Sequence, residues 1–265
     1  VTLALSPGCG ARFDSVEAVD QYLACLSATG FGAVSLGLDQ IKPFTVNGAT
    51  GLQLLRRMLE HHGLDCSDIL TVSVRGQERD EAESTKFITD VAHGVGARSI
   101  LLVCFTKPTD AVMQRLDRLA AITVQAQVKL ALEFAPGLAI DSIQKGLEVC
   151  ATIGSDRMGL VVDTWHFFRG PSTWADLETV PLENVLLVQF DDAPPAISAD
   201  VMDETTNRRT WPGQGSFELQ RFATTLSDRG WAGVSSVEVL SDETRLLDMH
   251  TFVRTAYESS KPYWP

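Results

Sequence analysis

The chain has 265 residues, 45% of them hydrophobic, enough for one large core, and α/β barrels of this size commonly form a single domain. A formal net charge of −12 repels phosphate backbones, and Arg56, Arg57, Arg208 and Arg209 are too few to form a basic stripe, so nucleic acid is not an expected partner. No apolar stretch reaches the ~18 residues of a membrane span, and VTLALSPGCGARF lacks the basic start of a signal peptide. Five cysteines, at 9, 25, 66, 104 and 150, include no CxxC pair and are odd in number. They suit a reducing cytoplasm rather than a disulfide framework. With no linker, low-complexity block or short repeat, one domain is expected over residues 1–265.

Apolar, β-rich runs alternate with helix-period segments eight times. The pattern predicts strands near residues 2–6, 32–37, 67–73, 98–104, 129–134, 158–163, 184–190 and 233–239. Between them lie helical patterns such as SVEAVDQYLACLSATG, opened by Ser15 and Glu17 and closed by Gly30, and GLQLLRRMLEHHG, closed by Gly63. ILLVCF and GLVVD are almost continuously apolar, as strands buried on both faces are. Eight such units predict a (β/α)8 barrel. An open doubly wound sheet usually carries a phosphate loop after an early strand. HGVGA at 93–97 lies between a helix and a strand, the reverse order, and reads as a helix C-cap and turn.

Four oxygen donors end strand-like runs: Glu133 in LALEF, Asp163 in GLVVD, Gln189 in LLVQF and Glu238 in SSVEV. A parallel barrel brings the carboxyl ends of its strands to one rim, so these distant positions would converge there. Carboxylates in apolar sequence are rare unless paired or metal-bound. An arginine across the barrel would serve either glutamate alone; Gln189 means little alone but adds a neutral oxygen ligand to three carboxylates. His166 follows Asp163 by three residues in DTWH. Beside Trp165, Phe167 and Phe168, a packed histidine is the competing reading. His61, His62, His93 and His250 fall at helix ends or in helical patterns and receive no role.

The all-oxygen set suits a hard divalent ion, Mg²⁺ or Mn²⁺ with Co²⁺ tolerated. Such an ion would chelate a ketone and its neighbouring hydroxyl, acidify the α-proton and stabilise the enediolate formed on its loss. Glu133 and Glu238 are then the candidate proton-transfer groups. After Gln189, DDAPPAISADVMDETTNRRTWPGQGS is expected to be a long polar loop before a helix starting near Phe217. Arg208 or Arg209 would reach a substrate oxygen, and Pro212, Gly213 and Gly215 would fix a tight turn. Cys104, at a strand end, reads as a small buried thiol.

Glu133, Asp163 with His166 in DTWH, Gln189, Glu238 and RxxPGQG at 209–215 together resemble the xylose isomerase-like TIM-barrel superfamily of sugar isomerases and epimerases, from the first strand to the last. The resemblance implies that the four strand-end residues bind a divalent metal, that Glu133 and Glu238 are the acid/base pair, and that His166 and a loop arginine touch substrate. Gln189 is similar to hydroxypyruvate isomerases and 3-dehydroshikimate dehydratases, and VQFDDAP followed by PGQG looks most like the dehydratases. FAPG after Glu133 lacks the further polar residues expected around a shikimate-type ring. Endonuclease IV shares a DxxH segment but needs more histidines for its trinuclear zinc site. The expected activity is isomerisation or epimerisation of a keto-sugar or related polyhydroxylated ketone, by α-proton abstraction. The alternative is dehydration of a 3-dehydroshikimate- or inosose-type substrate, and a non-catalytic barrel is the remaining class. Neither a nucleic acid nor a membrane partner is expected, and homo-oligomerisation is left open.

Overall fold

The eight apolar runs form eight strands in the computed structural model, which describes residues 1–7, 13–76 and 81–264. They are β1 (Thr2–Leu5), β2 (Ala33–Leu36), β3 (Asp65–Val74), β4 (Ser99–Cys104), β5 (Lys129–Glu133), β6 (Met158–Asp163), β7 (Val185–Phe190) and β8 (Val234–Val237). Each pairs in parallel with the next, and β8 pairs with β1 to close the barrel. All eight predicted strands are present, and so is the predicted (β/α)8 class. Cys9 lies outside the described residues. Among those described, no helix is long and apolar enough to cross a membrane.

Alternation along each strand explains the continuous apolarity. Val34, Ile100, Leu132, Leu160, Val188 and Val237 face the surrounding helices and belong to the large outer core. On the opposite faces of these strands, Ala33, Leu101, Ala131, Val161, Leu187 and Val234 fill the barrel interior. Residues two apart on a strand share a face. Glu133, Asp163 and Gln189 therefore lie one step above Ala131, Val161 and Leu187, on the inward side at the carboxyl rim, and Glu238 stands two steps above Val234.

The helix predictions hold at their caps. Ser15 Oγ accepts the Ala18 N–H at the start of the helix Val16–Thr29, and Gly30 ends it with φ 114°. The helix Gly48–His62 ends at Gly63, and the helix Glu81–Val95 carries HGVGA into a turn. The segment after β7 differs from expectation, since it contains the helix Val201–Asn207, and the next helix begins at Leu219. Local side chains account for this. Asp200 accepts the N–H groups of Met202 and Asp203 at the helix start, and Glu204 turns back to accept those of Ile197 and Ser198. The segment also bridges Asp192 to Thr210 and Arg208 to Ser241.

Below the rim, Asp68 of β3 is buried on the inward side, where it accepts hydrogen bonds from Ser35 Oγ at 2.8 Å and Ser67 Oγ at 2.6 Å. Burial pushes its carboxyl up to about 6, with the two hydroxyls opposing and the Glu133 charge adding to the push. The folded value lies above the unfolded one, so the folded chain keeps this proton where the unfolded chain has released it. Stability therefore falls as pH rises between about 4 and 6 and levels off above. We expect Asp68→Asn to match wild type at pH 4 and to exceed it by roughly 2–3 kcal/mol at pH 7 in urea unfolding. A difference that does not change with pH would refute this account.

Candidate active site

The rim residues form one buried acidic cluster. Glu133, Asp163, His166, Gln189 and Glu238 are all buried, and Asp163 and Gln189 are wholly shielded. Donor atoms of Glu133, Asp163 and His166 lie within 4.8 Å of one another, close enough to share a cation. His166 Nε2 is 3.5 Å from Glu133 Oε1. The DTWH spacing has a local cause. Asp163 ends β6 and caps the helix Thr164–Arg169, its Oδ1 accepting the His166 N–H at 2.9 Å. Its other oxygen is left facing the cluster, and the imidazole is brought beside Glu133.

Gln189 carries the clearest sign of a ligand. Neither its Oε1 nor its Nε2 has a hydrogen-bond partner among the described residues, and the same is true of His166 Nδ1. Burying an amide unpaired costs roughly 1–3 kcal/mol. A carbonyl oxygen aimed at a cation would remove much of that cost, so the donor set fits a divalent metal.

Of the two loop arginines, Arg209 enters the cluster and Arg208 does not. Arg208 pairs with Asp203 at 2.6 Å on the outer side. Arg209 is buried, and its Nη1 donates to Asp163 Oδ2 at 2.8 Å and to Asp191 Oδ2, and lies 3.4 Å from Glu238 Oε2. The salt-bridge reading offered for Glu238 is thus realised within the same cluster. Arg209 Nε and Nη2 are fixed by Thr205, on the helix Val201–Asn207, and its guanidinium lies 5.7 Å from the Trp165 ring.

Sequence reading missed two residues here, Asp191 and Asp192. Asp191 shares the inward face with Gln189, one step higher, and its Oδ1 also accepts the Thr164 hydroxyl. Asp192 faces the other way. Its carboxylate accepts the backbone N–H groups of Gly213, Gly215 and Phe217 and so folds PGQG around itself. Gly213 has φ 85°, and a Cβ on Gly215 would stand 2.2 Å from Asp192 Oδ1, which accounts for both glycines. The available signal was a pair of aspartates directly after a buried strand.

Crowding sets the protonation of the cluster. Burial pushes Glu238 well above the usual carboxylate range; Arg209 opposes it, and Glu133, Asp163 and Asp191 add to it. Burial likewise pushes Asp191 up to about 8, with the Asp163 charge adding and Arg209 and the Thr164 hydroxyl opposing. Burial also works on Asp163, but Arg209, His166 and the capped N–H outweigh it and hold its pKa low. His166 is disfavoured as a cation by burial, yet Asp163 and Glu133 raise its pKa. On the same rim, a cleft of ≈ 1030 Å³ opens over the ends of β1 and β2, lined in part by Phe13, Leu70, Thr71, Leu240 and Arg245.

A closed parallel barrel with an acidic, metal-competent rim defines the class, and the comparisons define the family. The sequence matches the xylose isomerase-like TIM barrel family over residues 23–256, and the chain belongs to that family. The inosose isomerase of Bacillus licheniformis is 31% identical over 147 residues, 55% of this chain and 52% of that protein. The 3-dehydroshikimate dehydratase of Pseudomonas aeruginosa is 26% identical over 153 residues, 55% of this chain and 24% of that protein. The match thus spans about half the length of the inosose isomerase and about a quarter of the dehydratase. Among solved structures, the IolI protein with a bound zinc atom has a TM-score of 0.83 at 19% identity, covering 99% of this chain and 98% of that one. An L-ribulose 3-epimerase has a TM-score of 0.74 at 15% identity, covering 97% and 92%. These two share the fold.

Because Arg209 offsets three buried carboxylates, Arg209→Met should destabilise the protein by about 3–5 kcal/mol. Adding Asp191→Asn should recover part of the loss. Chemical unfolding of the single and double variants checks this; an unchanged single variant would show that the guanidinium is not the counter-ion.

Proposed function

We propose that the chain is a divalent-metal-dependent isomerase or epimerase of a keto-sugar or related polyhydroxylated ketone. The observation that carries this reading is the buried, unpartnered Gln189 carboxamide beside the Glu133, Asp163 and His166 donors. Glu133, Asp163, Gln189 and Glu238 would hold the metal, with Mg²⁺ or Mn²⁺ favoured by the oxygen donors and Co²⁺ tolerated. When bound, the metal would polarise the substrate carbonyl and make the neighbouring C–H more acidic.

The side chains then divide the remaining work. Glu238 would accept the α-proton at a side-chain oxygen, with Glu133 as its counterpart. His166 would place its ring N–H on a substrate oxygen, with its orientation set by Glu133. Arg209 would keep Asp163 ionised and aligned, and the one Nη2 N–H left by its bonds to Thr205, Asp163 and Asp191 would reach substrate. Burial of the cluster limits water, which strengthens each of these interactions.

Loss of a β-hydroxyl instead of reprotonation would make the same site a dehydratase. The identity with a 3-dehydroshikimate dehydratase supports this second reading. Both share the proton abstraction, so one experiment separates them. Incubation with Mg²⁺ and a panel of keto-sugars, inososes and 3-dehydroshikimate in deuterated water, followed by NMR, reads exchange, isomerisation and water loss separately. Absence of divalent-metal binding, together with a melting temperature unchanged by chelator, would overturn the enzymatic reading.

We expect Glu133→Gln and Glu238→Gln to reduce α-proton exchange by at least about 100-fold while the fold is kept. Exchange at the wild-type rate in both would remove them as acid and base. His166→Ala should impair substrate turnover and leave metal content near wild type, whereas Gln189→Ala should weaken metal binding. Metal analysis showing the opposite pattern would make His166 the fourth ligand in place of Gln189.

A further inference from the structure

Away from the rim, the first and last long helices bring together a thiol and an imidazole. Cys25, in the helix Val16–Thr29, has its Sγ 3.3 Å from Nδ1 of His250, in the first turn of the helix Met249–Ser260. The pair lines a cleft of ≈ 650 Å³ together with Arg254, Glu258 and Lys261. All three of these charged residues are exposed. The Arg254 side chain forms no ion pair among the described residues, and the Lys261 ammonium lies 5.4 Å from the Tyr257 ring. Glu258 is the one anion in that lining, so two fixed cations face one carboxylate there, while Asp248 caps the helix that carries His250.

The other described cysteines have none of these features. Cys66, Cys104 and Cys150 sit in the core, and burial pushes the Cys66 thiol well above its ordinary range and that of Cys150 up to about 12. Such thiols are inert, because the thiolate is the reacting form. Cys25 is buried in the same core, at 8% exposure, and differs in touching both a proton acceptor and a cleft. An imidazole within hydrogen-bond reach of a thiol is the arrangement by which a cysteine is activated, and cations along the approach draw in anionic reagents.

We propose that Cys25 and His250 form a reactive thiol–imidazole pair that undergoes exchange with small anionic disulfides of the glutathione disulfide class. His250 takes the Cys25 proton, and Sγ attacks one sulfur of the reagent. A new S–S bond forms as the old one breaks, and the departing thiolate keeps the electron pair and receives the proton. One protein thiol and one disulfide become one mixed disulfide and one free thiol, with no other oxidant.

The test exposes the native protein to glutathione disulfide near pH 7 and follows the Cys25 peptide by mass spectrometry. A mixed disulfide is expected at Cys25, absent in Cys25→Ser. His250→Gln should slow its formation about tenfold, with circular dichroism and melting temperature unchanged. Arg254→Glu combined with Lys261→Glu should slow glutathione disulfide several-fold but leave the neutral bis(2-hydroxyethyl) disulfide reacting at the wild-type rate. No adduct at Cys25, or equal rates in the wild type and His250→Gln, would overturn the pairing. Equal slowing of the charged and neutral disulfides in the double variant would overturn the anionic preference.

Discussion

Four carboxylates and one guanidinium share a shielded space at the carboxyl rim, and the rest of the site follows from keeping that arrangement tolerable. Glu133, Asp163, Asp191 and Glu238 come from the ends of four consecutive strands, and Arg209 is inserted among three of them. Like charges at such separation cannot all remain ionised without compensation. The protein accommodates this unevenly: Asp163, which receives both Arg209 and a helix-start N–H, stays readily ionised, while Glu238 and Asp191 are driven towards protonation. An acidic, metal-competent site and a proton-holding carboxylate are two consequences of the same crowding.

Arg209 reaches the cluster because the segment after β7 is built rather than loose. Thr205, on the short helix Val201–Asn207, fixes the guanidinium from one side. Asp192 gathers the PGQG backbone on the other. Adjacent aspartates thus do opposite jobs. Strand alternation turns Asp191 inward to the arginine and Asp192 outward to the turn. Changes in this segment would act on the charge of the metal-competent residues as well as on any substrate contact.

The fold was legible because its signal is repeated. Eight apolar runs at regular spacing, with caps such as Ser15 and Gly30 between them, leave little freedom in the architecture. The convergence of Glu133, Asp163, Gln189 and Glu238 could be anticipated for the same reason, since each ends a run that must point to one rim. What could not be read were relations that depend on facing. Nothing local distinguishes Arg208 from Arg209; one turns to Asp203 and the other crosses the rim. The helix Val201–Asn207 was hidden in polar sequence, because its start depends on Asp200 and Glu204 rather than on apolar periodicity. Asp68 was overlooked since its meaning lies in Ser35, a partner on the neighbouring strand.

The identity of residue 189 follows from the same charge constraint. A carboxylate there would add a fifth negative group to a space in which two of four already resist ionisation. Gln189 offers an oxygen without a charge, on the inward face of β7 directly below Asp191. The neutral amide and the anionic arginine partner are therefore stacked on one strand, and the step from 189 to 191 separates an uncharged oxygen from the carboxylate that holds Arg209. A histidine at 189 would also be neutral but would supply nitrogen and favour a softer ion. The amide adds an oxygen and no charge beside Arg209, which, held by Asp191 and Thr205, already moderates the three carboxylates it touches.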